Sequence, residues 1–137
     1  MDNLYRDFIL EHYREPHNRG VLEPHDLGFA DSNPTCGDEL SMTIVLDESR
    51  QRIVDVAFDG RGCAISQASA SIMTDALRGL SLDDVRAMEP RGVVEALGVP
   101  IGPARLKCAL LGYKVLQGAV TGAAARWPDE REVLAPS

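Results

Sequence analysis

Leu40-Ser41-Met42-Thr43-Ile44-Val45-Leu46 and Ile53-Val54-Asp55-Val56-Ala57-Phe58, joined by the polar run Asp47 to Arg52, decide the fold. Leu40, Met42, Ile44 and Leu46 alternate with Ser41, Thr43 and Val45, and Val54, Val56 and Phe58 repeat the alternation after the link. Successive side chains of a strand point to opposite faces, so a period of two marks a strand with one face buried. Two such strands across a short polar link predict an antiparallel hairpin. The start of its first strand and the end of its second then lie at the same end. Asn33-Pro34-Thr35-Cys36-Gly37-Asp38, which leads into the first strand, is thereby carried to Gly60-Arg61-Gly62-Cys63, which leaves the second.

Both chain segments at that end of the hairpin hold chemistry. Pro34 restricts its own φ and Gly37 permits a positive φ, so the turn can aim Cys36 and Asp38 at one point. Gly60-Arg61-Gly62 turns the chain into a helix beginning near Cys63, with Ile65, Ala68 or Ser69, Ile72 and Ala76 on one face. Unpaired N–H groups and the macrodipole at a helix N-terminus favour a thiolate over a thiol. This Gly-Arg-Gly is not a dinucleotide or phosphate loop: Ile65 stands where the third glycine belongs, and no Gly-Lys-Ser/Thr follows.

Farther out, Leu4, Phe8, Ile9, His12 and Tyr13 predict a first amphipathic helix after an Asp2 or Asn3 cap, stopped at Glu15-Pro16. From His17 to Asn33 the reading is extended loop, turn-like at Asn18-Arg19-Gly20, with a short edge strand near Phe29. Ser81 caps a short helix with Leu82, Val85 and Met88, ended by Pro90, and another runs from Val93 to Leu97. After Gly98, Pro100, Gly102 and Pro103 the last clear helix extends to about Val120, its buried stripe being Leu106, Ala109, Leu110, Tyr113 and Leu116. Cys108 falls in its second turn, roughly 200° from Leu106 at about 100° per residue, beside Leu111 and Val115. The expectation is one α+β domain over residues 1–137, a small antiparallel sheet of about three strands packed against helices, with a flexible tail from about residue 122.

A chain of 137 residues buries about two-thirds of its unfolded surface and needs no metal merely to fold. Its 14 basic and 21 acidic residues leave a net charge of −7, which disfavours nucleic acid and anionic membranes as partners. No apolar run reaches the roughly 20 residues of a membrane span, and Arg6, Asp7 and Glu11 stand where a signal peptide is apolar, so a cytoplasmic location is expected. Three cysteines are an odd number for a disulfide framework, which favours thiol or metal chemistry. One cysteine alone reads as a small buried hydrophobe. Cys36, Cys63 and Cys108 with Asp38 form three sulfurs and one oxygen, a tetrahedral set suited to zinc at about 2.3 Å for sulfur and 2.0–2.2 Å for oxygen. Arg105 and Lys107 read first as a solvated helix edge, and a cation beside Cys108 also favours its thiolate. Of the three histidines, His12 lies on the apolar helix face and reads as packed, and none completes a catalytic arrangement with serine or cysteine.

With these residues in place, the chain resembles the U-type iron–sulfur assembly proteins, the SufU and IscU families, over nearly its whole length. The likeness is carried by Leu4-Tyr5-Arg6 through His12-Tyr13 and Pro16, Asn33 to Asp38, Gly60-Arg61-Gly62-Cys63-Ala64-Ile65-Ser66 with Ala68 to Ser71, and Pro103-Ala104-Arg105-Leu106-Lys107-Cys108-Ala109. It implies an IscU-like fold with the site at one end. Lys107 stands where the IscU type has histidine, which resembles the SufU type, and there the family pattern places zinc on the positions of Cys36, Asp38, Cys63 and Cys108. The segment SufU-type chains carry before the third cysteine is absent. Ile101-Gly102-Pro103-Ala104-Arg105 replaces the chaperone-recognition stretch of IscU proteins.

The resemblance implies a sulfur carrier rather than an enzyme that turns over alone. It would receive persulfide sulfur from a SufS-like cysteine desulfurase and pass it to a downstream iron–sulfur scaffold or apo-protein. In the expected mechanism the partner displaces one ligand from zinc and frees Cys36 to attack, with Cys108 beside Lys107 as the alternative acceptor. Two other readings use the same residues: a scaffold on which iron and a [2Fe–2S] cluster are assembled, and a zinc-stabilised module that only regulates a partner enzyme.

Overall fold

The hairpin forms, with one irregularity that the alternation does not announce. The computed structural model describes residues 2–35 and 37–134. Among them β1 (Leu27–Asn33), β2 (Asp38–Leu46) and β3 (Ile53–Arg61) make an antiparallel sheet in the order β1-β2-β3. Met42 lies opposite Phe58 and Ile44 opposite Val56, as the alternation requires. Beyond Ile44 the register shifts: Val45 pairs with Asp55 but Leu46 with Ile53, leaving Val54 as an extra residue on β3. Val54 is therefore 53% exposed, and Ile53 enters the core in its place. A bulge reverses the facing of every residue beyond it, which is why the simple period fails at this end.

The edge strand expected near Phe29 is β1, paired to β2 from Leu27 opposite Ile44 to Asn33 opposite Asp38. On the far side of the sheet, Phe58 N–H donates to Asn18 O and Gly20 N–H donates to Phe58 O, each at 2.8 Å. The Asn18–Gly20 turn thus covers part of the β3 edge, which would otherwise present unpaired backbone groups.

The helices are α1 (Asp2–Arg14), α2 (Ala64–Asp75), α3 (Leu82–Arg86), α4 (Pro90–Glu95), α5 (Pro103–Thr121) and α6 (Glu130–Leu134). The side chains of Asp2 and Asn3, expected to cap α1, lie outside the described residues. α5 packs on β1 and β2, α2 packs on β3 and α5, and α1 lies on α2. The single faces expected for α2 and α5 do not describe their burial: on α2, Ile72 is only half-buried and Ala76 is exposed past the helix end, and both helices bury residues off the expected face. Leu111 and Val115 are as fully buried as Leu110 and Leu116, and α2 buries Ile65 through Ala70 with Ser71, Met73 and Thr74. Both are central helices with neighbours on several sides, the circumstance in which a helix is apolar all round. The small residues Ala68 to Ser71 let α1 and α5 come close, and the Ser69 hydroxyl is satisfied by donating to Ala109 O at 2.7 Å.

On α1 the opposite correction holds. Ile9 and His12 face inward, whereas Leu4 is 72% exposed and Phe8 and Tyr13 also reach solvent. Ser81 caps α3 as expected, with Asp84 completing a capping box. α3 stops at Arg86, and Pro90 begins α4 instead of ending α3. At the first helical position a missing N–H costs no hydrogen bond. Past Gly122, where a tail is expected, Trp127 packs against the core and Val133 of α6 is buried.

Lys114 of α5 is buried and its ammonium bonds Asp31 of β1. Burial opposes the charged form of Asp31, but the bonds from Lys114 and from Ser32 N–H outweigh it and hold the carboxyl below its ordinary range. Lys114→Met is expected to lower urea stability at neutral pH by about 1–3 kcal/mol, less than for a fully buried pair because Asp31 keeps some contact with water. A lowered carboxyl pKa stabilises above its unfolded value and ceases to do so as pH falls through the folded one. Urea curves of the two proteins should therefore converge on acidification through that range.

Candidate metal centre

Asp38 opens β2 opposite Asn33 and is only 1% exposed. Its Oδ1 accepts the backbone N–H of Cys63 at 2.9 Å, and its Oδ2 lies 3.7 Å from Cys63 Sγ. The carboxylate can approach so closely because residue 62 is glycine. A Cβ there would stand 2.4 Å from Asp38 Oδ1 and 2.6 Å from Ser66 Oγ. That requirement was not anticipated from the Gly60-Arg61-Gly62 motif, although Gly62 immediately before a helix-capping cysteine is the signal that could have revealed it.

Cys63 is the N-cap of α2, with an extended backbone and no side-chain cap bond. Ser66 Oγ and Gln67 N–H both donate to its carbonyl, at 3.1 and 3.2 Å, so the residue is held by its backbone while its sulfur stays exposed. Cys108, expected off the main stripe of α5, is 7% exposed. An Asp38 carboxylate oxygen and the sulfurs of Cys63 and Cys108 all lie within 4.8 Å of one another. β2, α2 and α5 each supply one donor.

Cys36, the remaining member of the expected set, lies outside the described residues. On either side of it, Gly37 N–H donates to Asn33 O at 2.9 Å and Thr35 N–H to Asn33 Oδ1 at 3.3 Å, with Gly37 at φ 77°. Asn33 thus closes the turn through both its backbone and its side chain. Two sulfurs and one carboxylate oxygen match the ligand preferences of zinc and leave a fourth tetrahedral position to fill.

The auxiliary residues separate. Lys107 is exposed, and its Nζ sits 5.4 Å from the centroid of the Trp127 ring, with Lys114 Nζ 5.3 Å from the same ring. The chain's single tryptophan is therefore flanked by two ammonium groups, one of them next to Cys108. Trp127 was missed in the sequence because its surroundings are polar, and a lone tryptophan in such a stretch was the available signal. Arg105 is exposed in the first turn of α5.

No histidine joins the Asp38, Cys63 and Cys108 group among the described residues. His12 is packed, as expected, and its Nδ1 is 2.7 Å from Ser71 Oγ. Burial, followed by the neighbouring His17, pushes its imidazole below the ordinary value against the pull of Asp75 and Glu11.

Residues 4–127 match the family model described as the NifU-like N terminal domain. The chain belongs to this family. Within the NifU-like family it is 40% identical to the "Zinc-dependent sulfurtransferase SufU" of Bacillus subtilis (strain 168), over 88% of this chain and 91% of that one. It is 35% identical to the "Iron-sulfur cluster assembly scaffold protein IscU" of Streptococcus pyogenes serotype M1, over 88% and 84% of the two chains. Its fold is similar to the crystal structure of the "Putative iron-sulfur cluster assembly scaffold protein for SUF system (FiSufU)" from Fervidobacterium islandicum AW-1, with a TM-score of 0.72 at 27% identity, covering 83% of this chain and 94% of that one. The expected family and the α+β class both hold. No helix among the described residues is long and apolar enough to cross a membrane.

Proposed function

We propose that this NifU-like protein serves iron–sulfur cluster assembly as a zinc-dependent sulfur acceptor, taking persulfide sulfur from a cysteine desulfurase in the cytoplasm and passing it to a scaffold or apo-protein. The observation that carries the reading is the convergence of Asp38, Cys63 and Cys108 on one point beneath the Asn33–Asp38 turn. The B. subtilis relative, whose name states zinc dependence and sulfur transfer, supports it. Cys36 completes the ligand set. Bound zinc supplies positive charge that keeps these thiols deprotonated at neutral pH.

Cys36 is the acceptor. It adjoins Gly37, whose positive φ suits a turn that can re-aim, whereas Cys63 and Cys108 are fastened to helices. Its thiolate attacks the sulfane sulfur of the desulfurase persulfide. A bond forms between Cys36 Sγ and that sulfur as the donor's S–S bond breaks, the donor cysteine leaves as a thiolate, and no net oxidation occurs. Lys107 and Arg105 are auxiliary: both are exposed near the start of α5, and a cation beside Cys108 favours its thiolate.

Zinc analysis of the purified protein, paired with desulfurase turnover, tests the proposal. Cys36→Ala should abolish sulfur acceptance and the stimulation of turnover. If it accepts sulfur at the normal rate while Cys108→Ala does not, Cys108 is the carrier. The S. pyogenes relative favours a second reading, a cluster scaffold. Anaerobic reconstitution with iron and sulfide separates the two, because a stable chromophore transferable to an apo-protein is expected only of a scaffold. Stimulation that survives loss of every sulfur-accepting thiol would instead point to a purely regulatory module.

A further inference from the structure

At the opposite end of α2, His12, His17 and Asp75 form a second group of donors. A ring nitrogen from each histidine and a carboxylate oxygen of Asp75 lie within 4.8 Å of one another. The His12 and His17 rings are 4.5 Å apart between centroids, and His17 Nδ1 is 2.6 Å from Asp75 Oδ2. Twelve residues of α2 separate this group from Cys63, about 18 Å at the rise of an α-helix, so the two groups cannot share an ion. We propose that His12, His17 and Asp75 are a second, independent site for a divalent transition ion such as zinc.

Three features distinguish this cluster from a chance surface pair. First, its donors are held from behind. Ser71 Oγ contacts His12 Nδ1 and accepts His17 N–H, both at 2.7 Å, while Asn18 Nδ2 donates to Asp75 Oδ1 at 3.0 Å and to Thr74 Oγ1 at 2.9 Å. Outer partners of this kind orient imidazole and carboxylate ligands in metal sites. Second, Asp75 is the last residue of α2, where the macrodipole disfavours an anion, and that last turn carries no basic residue. The Arg78 guanidinium donates to Asp55 and to the side-chain Oδ1 of Asn18 rather than to Asp75. A cation between Asp75 and the two imidazoles would offset that cost. Third, His12 is buried while the His17 and Asp75 side chains are 53% and 43% exposed, so the ion has a path in and water can fill its remaining positions.

Two histidines and one carboxylate suit first-row divalent ions that accept nitrogen and oxygen donors. Binding would replace the hydrogen bond now made between His17 Nδ1 and Asp75 Oδ2. The test is a zinc titration of the full chain against a chromophoric chelator, with wild type compared to His17→Ala, Asp75→Asn and Cys63→Ala. Wild type should take up a weaker second equivalent. His17→Ala and Asp75→Asn should lose that equivalent or bind it on the order of tenfold or more weakly, while retaining the first. Cys63→Ala should show the reverse. In wild type the imidazole NMR signals of His12 and His17 should move only during the second equivalent, a readout that does not depend on the variants folding. Uptake of a single equivalent by wild type, or histidine signals that zinc leaves unmoved, would mean that the cluster is only a hydrogen-bonded contact of α1 and the residues after it with α2.

Discussion

Cys63→Ala is expected to strip zinc from the Asp38, Cys63 and Cys108 centre and to abolish the protein's stimulation of a cysteine desulfurase while leaving the metal-free fold intact. Cys63 caps α2 without a side-chain bond, its sulfur faces solvent, and its backbone is held by Asp38, Ser66 and Gln67 through main-chain atoms. Removing Sγ therefore deletes a donor and almost nothing else. Cys108→Ala would be a less clean experiment, since Cys108 is buried in the core and its loss also removes packing. Metal analysis should show the loss outright. The unfolding temperature of the metal-free variant should match that of metal-free wild type, whereas the rise that the first equivalent of zinc gives wild type should be absent.

Gly62→Ala should weaken zinc binding without removing any donor atom. The added methyl would stand 2.4 Å from Asp38 Oδ1 and 2.7 Å from its Cγ, inside any tolerable contact, so the carboxylate must leave Cys63 N–H. Asp38 is buried at the head of β2 and cannot turn to water without moving the strand. Zinc affinity should fall on the order of 10–100-fold, the range seen when groups that orient metal ligands are disturbed. Gly62→Ala keeps all three cysteines, so a thiol titration should match wild type. A normal zinc affinity in this variant would mean that the bond between Asp38 and the Cys63 amide has no part in shaping the site.

The centre was legible in sequence because it depends on short-range rules. Strand alternation placed Asp38 and Cys63 at one end of a hairpin, and a glycine-rich turn before an apolar run placed Cys63 at a helix start. Cys108 was harder. Its helical phase relative to Leu106 put it off the main stripe, yet α5 is enclosed on several sides, and no local period reveals how many neighbours a helix will have. Val54 failed for a related reason, since the register shift beside Val45 is a property of two strands together. Gly62 and Trp127 were overlooked because their roles are contacts with distant residues: Asp38 in one case, Lys107 and Lys114 in the other. The His12, His17 and Asp75 group escaped notice because its acid lies at the far end of α2 from the cysteine the helix was read for.

The proposed division of labour has three residues hold the metal while the turn residue carries sulfur. Its most direct test is peptide mass spectrometry of the zinc-loaded protein after incubation with a cysteine desulfurase and cysteine, under conditions that trap persulfides. The added sulfur should reside on the peptide containing Cys36, with those containing Cys63 and Cys108 unmodified. Sulfur on the Cys108 peptide, or stimulated turnover with no sulfur on any cysteine, would contradict the account.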